Sequence, residues 1–182
     1  MQNPNNGGNL CNLQTFCRVS TRSFDSRPVP DGAVKSIVDA ALYAPVGMHR
    51  YETLHLTVIK NPYILDYLRT LAVKATGDEK ADPLHGAPVL IVVSTSLKGE
   101  IGALNASCLI ENMLLAATDL GLANLYVRGI IADAAKDADF LSLAKIPAGF
   151  TPVASVAVGY ALSPTEPREI PKNDVTKVDY LN

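Results

Sequence analysis

Tryptophan is absent from this chain of 182 residues, and aromatic residues make up only 6% of it. Few rings are therefore available to stack on a planar ligand, and the candidates are Tyr43, Tyr51 and Tyr126. Any site for such a ligand has few stacking partners to draw on.

Metal-binding and disulfide patterns are also lacking. The three cysteines, Cys11, Cys17 and Cys108, have no metal-type spacing, and the three histidines are scattered along the chain. An odd number of cysteines argues against a disulfide framework, and free thiols are typical of a reducing compartment. The sequence therefore predicts no metal site and a cytoplasmic location.

Neither sign of charge dominates. The 16 lysines and arginines nearly balance the 18 aspartates and glutamates, which gives a net charge of −2. Such a balance gives no reason to expect binding to nucleic acid or to an acidic membrane surface. Apolar runs look too short to span a bilayer, and residues 1–8 lack the apolar core of a signal peptide. We therefore expect neither a nucleic acid nor a membrane as partner.

The length and composition fit one domain. A chain of 182 residues, of which 48% are hydrophobic, can bury a substantial core. The polar start of the chain predicts a loose N-terminus over residues 1–9, which leaves residues 10–182 as a single domain.

Signatures of side-chain catalysis and of nucleotide-binding loops are missing as well. The glycines at residues 7–8 and 99–102 match neither the P-loop nor the dinucleotide pattern. The sequence contains no Ser-His-Asp signature and no Gly-x-Ser-x-Gly elbow. The sequence thus shows no known pattern of catalytic side chains, as expected of a protein in which a bound cofactor carries the reaction.

Hydrophobic periodicity predicts helices and strands that do not strictly alternate. One helix begins at Asp31, where Val34, Ile37 and Ala41 share an apolar face, and it ends before Pro45. Further helices are predicted over residues 10–17, 103–120 and 133–144, and another begins at residue 62. A turn is predicted at residues 128–129. Strands are predicted over residues 54–59, 87–95, 123–127 and 153–160. The second of these strands is apolar on both faces and should be central. A Rossmann fold is disfavoured, because no Gly-rich turn follows the first strand.

The longest predicted helix, over residues 103–120, is apolar almost all round and should be buried. Gly121 comes directly after it and is a natural C-cap. Two amides, Asn105 and Asn112, lie seven residues apart on one face of this helix. Because buried amides need partners, we expect both to bond to neighbouring backbone.

The most informative stretch is the basic segment at residues 18–22. Arg18, Ser20 and Arg22 occupy alternate positions, and in an extended segment alternate side chains point the same way. Two guanidinium forks with a hydroxyl between them suit a phosphate, because each fork can donate paired charge-assisted hydrogen bonds. A solvated basic turn would show the same spacing, so spacing alone leaves both interpretations open.

The residues around and after this segment favour the phosphate site. Read as Arg-x-Ser-x-Arg-x-Phe-x-x-x-Pro-Val, residues 18–29 resemble the start of the FMN-dependent nitroreductase family. Three later stretches resemble that family in the same order: Ala-Pro-Val-Gly-Met-His-Arg at residues 44–50, the run starting Glu-Asn-Met-Leu-Leu-Ala-Ala at residues 111–122, and Val-Gly-Tyr at residues 158–160. The resemblance covers the chain from about Arg18 to its end.

The resemblance implies an α+β fold, with a mostly antiparallel central sheet flanked by helices. It also implies a homodimer in which FMN lies at the subunit interface and each site draws on both subunits. A C-terminal arm, here around residues 175–180, would cross to the partner subunit.

The resemblance assigns FMN contacts to three groups of residues, in residues 18–22, 45–49 and 128–129, and to one late arginine. The full set is Arg18, Val19, Ser20, Arg22, Pro45, Val46, Gly47, His49, Arg128, Gly129 and Arg168. Arg18, Ser20 and the backbone of Val19 would hold the phosphate, with Arg168 closing on it and Lys172 as the fallback. Arg22 would approach the N1/O2 edge of the flavin, where a cation stabilises the negative charge of the reduced ring. The backbone N–H of the Arg128–Gly129 turn would meet flavin N5.

Residues 45–49 would come from the other subunit and pack around the ring. The family's usual run is close to Ala-Pro-Ser-Gly-x-Asn-x-Gln-Pro-Trp, and this chain departs from it at Val46, His49 and Tyr51. The asparagine and glutamine of the family run are therefore absent at these positions, and His49 remains able to donate to the flavin. Lys80 aligns loosely with a family lysine near the flavin, although a solvated loop lysine is the plainer reading.

The implied activity takes a hydride from NADH or NADPH and reduces nitroaromatic, quinone or related acceptors by ping-pong two-electron steps. Two alternatives stay open. The altered stretch at residues 46–53 is compatible with a specialised branch, such as flavin fragmentation, reductive dehalogenation or oxidation of a peptide heterocycle. A flavin-binding protein without turnover is the other.

Overall fold

The computed structural model describes residues 15–163 and 176–181. Its helices are α1 (Asp31–Ala41), α2 (Pro62–Thr76), α3 (Glu100–Asp119), α4 (Gly129–Ala134) and α5 (Ala138–Leu143). Its strands are β1 (Phe24–Asp25), β2 (Leu54–Ile59), β3 (Val89–Thr95), β4 (Ala123–Val127) and β5 (Thr151–Ala161). Two short 3₁₀ turns, Gly47–His49 and Tyr51–Thr53, lie between α1 and β2.

The strands form one sheet in which β5 is the hub. β3 and β4 both pair with β5, β2 pairs with the far side of β3, and the short β1 pairs with the last residues of β5. All of these pairings are antiparallel, which confirms the predicted α+β fold with an antiparallel central sheet. Residues 176–181 are exposed and lie outside any helix or strand, so the crossing of a C-terminal arm stays a prediction.

Both faces of the sheet are covered, and β3 shows why. Its residues Val89, Ile91 and Val93 pack into one core with α1 and α3, while Leu90 and Val92 pack into a second core with α2, α4 and α5. Every residue of β3 is buried. The central position predicted from its two apolar faces is therefore confirmed.

Helix α3 is the principal core helix, as predicted. Gly121 lies just beyond its end with φ +68°, and the N–H groups of Gly121 and Leu122 bond back to Thr118 and Ala117. These two bonds form a Schellman cap, which needs the left-handed conformation that glycine adopts without strain. By length and composition α3 could cross a membrane, contrary to the expectation that no segment could. Its buried residues, however, pack against α1 and the sheet.

The prediction of one helix over residues 133–144 is wrong. Two short helices occupy this region, and α4 already begins at Gly129, so that Arg128 and Gly129 start a helix instead of forming a separate turn. The break falls at Asp137, whose side chain accepts a hydrogen bond from the Phe140 N–H at 2.7 Å and so caps α5. The strand β1 was not predicted, because two residues give no readable alternation.

The predicted N-terminal helix over residues 10–17 is only partly testable. Its described part, residues 15–17, is helical. The loose N-terminus predicted over residues 1–9 lies outside the described residues.

Candidate functional site

The basic segment, residues 18–22, runs alongside the start of β4. Ser20 forms a parallel bridge with Asn124, and the Thr21 N–H donates to the Asn124 carbonyl at 2.9 Å. Arg18 Nη1 donates to Ser20 Oγ at 3.3 Å, so these two side chains share one side of the segment. Val19 and Thr21 instead line a cavity of about 280 Å³. The segment thus has the alternation expected of an extended chain.

The guanidinium groups fall into two classes. Among the six arginines of the described residues, Arg27, Arg50 and Arg69 each lie within 3.3 Å of a carboxylate. The other three, at positions 18, 22 and 128, have no carboxylate partner within the described part of the chain. Among the described residues, these three are also the arginines to which the family resemblance assigns FMN contacts. Their charge is uncompensated and is available to an anionic ligand.

One contact relates the basic segment to the strand that leads to Gly129. Ser20 forms its parallel bridge with Asn124, near the start of β4, and Arg128 and Gly129 directly follow the end of that strand. Arg128 lies four positions beyond Asn124, a span of about 13 Å at about 3.3 Å per residue. An elongated ligand with an anionic end near Arg18 could therefore reach Gly129 along β4.

The second candidate group lies in the loop between α1 and β2, here called the 45–49 loop. Pro45, Gly47 and His49 are exposed, whereas Val46 is buried in the core. Met48 and His49 both have φ +56°, in the left-handed region that side chains other than glycine rarely adopt. Two such residues in succession store backbone strain, which persists only where the surroundings hold it.

Besides its backbone turns, three hydrogen bonds that involve side chains hold this loop and the residues directly after it. The Gly47 N–H donates to Asn105 Oδ1 of α3 at 3.1 Å. The Tyr51 hydroxyl donates to the Ala44 carbonyl at 3.0 Å and ties the two ends of the loop together. The Thr53 hydroxyl donates to the Arg50 carbonyl at 2.6 Å. The His49 ring lies 6.5 Å from the Tyr51 ring, and no contact among the described residues tests its predicted approach to the flavin.

Both amides predicted on α3 have backbone partners. Asn112 Nδ2 donates to the Ala40 carbonyl of α1 at 3.1 Å, and Asn105 accepts from the 45–49 loop. Sequence reasoning found that both amides bond to backbone but missed that Asn105 holds a candidate site segment. The heptad spacing indicated the shared face, and no sequence pattern indicated the partner.

The pKa shifts in the structure belong to the framework and not to the two candidate groups. A hydrogen bond from Lys60, and then its charge, lower the pKa of Asp31 at the start of α1. The backbone N–H of Arg27, more than its guanidinium, lowers the pKa of Asp25. Loss of solvent, and then the hydrogen bond to Asp137, raise the pKa of Tyr67.

Some predicted residues gain no role from the geometry. Arg168 and its fallback Lys172 lie outside the described residues. Lys80 is exposed in a loop, where its backbone N–H bonds to Asp78 Oδ1 at 2.9 Å. Over residues 15–163 and 176–181, no group of three or more His, Cys, Asp or Glu side chains could hold a metal ion.

A family model described as the nitroreductase family matches residues 17–160. The chain belongs to this family. A nitroreductase with bound FMN from Bacteroides fragilis is 27% identical and has a TM-score of 0.82, over 94% of this chain and 100% of that one. A second nitroreductase with bound FMN, from Desulfitobacterium hafniense DCB-2, is 26% identical and has a TM-score of 0.83, over 96% of this chain and 100% of that one. No curated protein matches this chain.

A third solved structure, less similar in sequence, shares the fold with this chain. A putative NADH dehydrogenase/NAD(P)H nitroreductase from Bacteroides thetaiotaomicron is 22% identical, with a TM-score of 0.74 over 95% of this chain and 98% of that one. The nitroreductase architecture is thus kept across sequences that share about one residue in five with this one.

The residues of this chain fit an FMN phosphate. Arg18 and Ser20 present a guanidinium and a hydroxyl from one side of the basic segment, and no described carboxylate neutralises Arg18 or Arg22. A dianionic phosphate would supply the missing charge and accept these donors.

Proposed function

We propose that this chain is an FMN-dependent oxidoreductase that takes a hydride from NADH or NADPH and reduces nitroaromatic, quinone or related acceptors. The observation that carries the proposal is the set of three guanidinium groups, those of Arg18, Arg22 and Arg128, without carboxylate partners among the described residues. Membership of the nitroreductase family, with FMN bound in relatives 26% and 27% identical, supports the same cofactor.

Four residues of the basic segment have a part in this proposal. Arg18, Ser20 and the backbone of Val19 would hold the phosphate, and Arg22 would approach the N1/O2 edge of the ring. Gly129 begins α4, and its backbone N–H would meet N5. FMN supplies the redox chemistry by accepting a hydride and passing two electrons on. The protein supplies position, and Arg22 supplies a positive charge where negative charge develops.

The electron donor and the electron acceptor would then occupy the same site one after the other. This ping-pong order requires a flavin face that admits the nicotinamide and, after it leaves, the acceptor. The connection between β3 and α3 has only residues 96–99, so in this subunit no helical excursion at that point covers the face. Openness of this kind suits acceptors of varied size.

We further propose that the site forms in a homodimer. Apolar side chains are exposed at the end of α1, in the 45–49 loop and at the start of α3: Leu42, Tyr43, Met48, Ile101 and Leu104, here called the α1–α3 patch. Tyr43 is 87% exposed and Met48 82%. Exposed apolar patches of this kind mark interfaces. Burial against a second copy would bring the 45–49 loop to the partner's flavin.

The proposed C-terminal arm fits the same assembly. β2 pairs on one side only within the described residues, and a cleft of about 630 Å³ runs along it. Val178, Tyr180 and Leu181 are exposed and alternate with charged residues over part of the tail. The arm of one subunit could therefore dock on the β2 edge of the other.

The decisive experiment for the cofactor and donor is the absorbance spectrum of the purified protein. We expect a yellow protein that NADH or NADPH bleaches within seconds and that a nitroarene or quinone recolours. A colourless protein that gains no flavin on incubation with FMN would contradict the proposal. Stoichiometric flavin that neither nucleotide reduces would support a flavin-binding protein without turnover instead.

Light scattering tests the assembly. A dimer that retains stoichiometric FMN is expected. If the protein were a monomer and still bound FMN stoichiometrically, that result would contradict a site shared between subunits.

A further inference from the structure

Asn105 is a buried amide with one satisfied end and one unsatisfied end. It lies on α3, where only 6% of the residue is exposed. Its Oδ1 accepts the hydrogen bond from Gly47, and its Nδ2 is buried without a partner among the described residues. The orientation is determined by the partner, because a backbone N–H can be met only by an acceptor, so the oxygen faces the loop.

Such an arrangement costs stability. A buried N–H group without a partner loses its water and gains nothing in return. The neighbours of Asn105 on the buried face of α3, Ala106 and Leu109, are apolar and fully packed. An apolar residue at position 105 would remove the unsatisfied donor. What the amide contributes is the acceptor for Gly47.

That acceptor is placed where the backbone needs support. Gly47 is followed by Met48 and His49, both in the left-handed region. The bond from Gly47 connects this strained loop to α3, the described helix with the largest number of buried residues, 58 residues further along the chain. The other two side-chain bonds around the loop, from Tyr51 and Thr53, join residues no more than seven positions apart. Asn105 is therefore the long-range link among these three bonds.

We propose that Asn105 is a positioning residue of the flavin site, which holds the 45–49 loop in its binding conformation through Gly47. The inference rests on the proposed function, since the loop is taken to contact the flavin. Asn105 does not touch the flavin itself, because its side chain is enclosed between α3 and the loop. Its effect on the cofactor passes through the backbone of Gly47.

Asn112 provides a matched control. It is the second amide of α3 with a backbone partner at 3.1 Å, but that partner is Ala40 in α1. The comparison is between Asn105→Leu and Asn112→Leu in the full chain. Both changes delete one amide–backbone bond of the same helix, and only the first releases the loop.

Two readouts are needed, the dissociation constant for FMN and the hydrogen-exchange rate of the Gly47 amide in the FMN-free protein. Asn105→Leu is expected to weaken FMN binding about fivefold and to speed Gly47 exchange by a similar factor, because one ordinary hydrogen bond is lost. Asn112→Leu is expected to leave both values as in wild type. If Asn105→Leu does not fold, Asn105→Ala deletes the same acceptor with a smaller side chain and should give the same result.

Unchanged FMN affinity and unchanged Gly47 exchange in the Asn105 variants would overturn the inference. So would equal weakening by Asn112→Leu, because the effect would then be a general loosening of α3. The two failures are distinguishable. A wild-type protein that binds no FMN contradicts the proposed function, whereas Gly47 exchange still tests whether Asn105 holds the loop.

Discussion

The basic segment and the 45–49 loop offer a cofactor different things. The basic segment offers charge, with Arg18 and Arg22 free of carboxylates among the described residues and Ser20 bonded to Arg18. The loop offers a defined backbone conformation. Its backbone is held in an unusual conformation at Met48 and His49, and its one nearby guanidinium among the described residues, that of Arg50, is already paired with Glu52 at 3.3 Å.

The difference indicates how work is divided in such a site. Binding strength should come mainly from the segment that carries uncompensated charge, since charge-assisted hydrogen bonds are about twice as strong as neutral ones. Position should come from the loop, where each supporting bond is neutral. Changes in the basic segment should therefore produce the larger effects, which at Arg18 depend on the phosphate, and changes around the loop should produce smaller effects that do not depend on it.

Arg18→Ala gives the largest expected effect. Removing a charge-assisted hydrogen bond worth roughly 1.5–3 kcal/mol should weaken FMN binding about 10- to 100-fold. The measurement is a titration of the apo-protein with FMN. Arg18→Lys should recover only part of the loss, because a point charge cannot reproduce the planar fork.

Riboflavin, which lacks the phosphate, is the control for that variant. It should bind wild type and Arg18→Ala about equally. Equal weakening of FMN and riboflavin by Arg18→Ala would mean that Arg18 does not read the phosphate.

Arg22→Ala should behave differently, because Arg22 is assigned to the ring. We expect both FMN and riboflavin to bind about tenfold more weakly, as for one charge-assisted bond. The flavin reduction potential should fall as well, since a cation near N1 favours the reduced form. The measurements are the two titrations and a redox titration of the bound flavin. If Arg22→Ala weakened the binding of FMN but not that of riboflavin, Arg22 would have to be assigned to the phosphate instead of the ring.

Tyr51→Phe tests the loop with a smaller change. It deletes the hydroxyl that donates to the Ala44 carbonyl at 3.0 Å and leaves the ring. FMN binding should weaken about threefold to tenfold, the effect of one neutral hydrogen bond. Tyr67→Phe is the matched control, because Tyr67 donates to Asp137 at a similar 3.0 Å, in the second core. If both variants lost FMN affinity equally, the loop would have no special part.

Asp31→Asn gives the smallest effect and should leave flavin affinity untouched. The pKa of Asp31 is lowered by Lys60, so its contribution to stability is present above its unfolded pKa of 3.8 and is lost as pH falls through the lower folded value. The variant should therefore have a slightly lower Tm than wild type at pH 7. The two melting curves should converge as the pH is lowered below about 4. A Tm difference that persisted at the lowest pH would assign the effect to something other than the charge.

Sequence predicted the elements of this fold better than their ends. Periodicity located α1, β2, β3 and β4 closely, because each has one or two clearly apolar faces. It failed between β4 and β5, where the capping aspartate Asp137 lies inside a polar run that reads as one helix. β1 was missed because its strand character comes from pairing with β5 and not from its own two residues.

The candidate site was predictable in its charged half. Alternation of Arg18, Ser20 and Arg22 is a local pattern, and the structure keeps it by pairing the segment with β4. The left-handed residues Met48 and His49 were not predictable, since neither is a residue type that favours this conformation enough to signal it. Nor was Asn105 as the support of the loop, because that contact joins positions 58 residues apart.

The measurement that tests the central claim most directly is FMN binding by a mixed dimer. One subunit carries Arg18→Ala, the other carries Gly47→Pro, which removes the N–H that bonds to Asn105, and two different tags allow the mixed dimer to be purified. If the basic segment of one subunit and the 45–49 loop of the other build each site, one site is intact and one carries both changes. We predict one FMN per mixed dimer, bound with wild-type affinity. If both segments of a site came from the same chain, each site would carry one change, and the absence of any site with wild-type affinity would contradict the account.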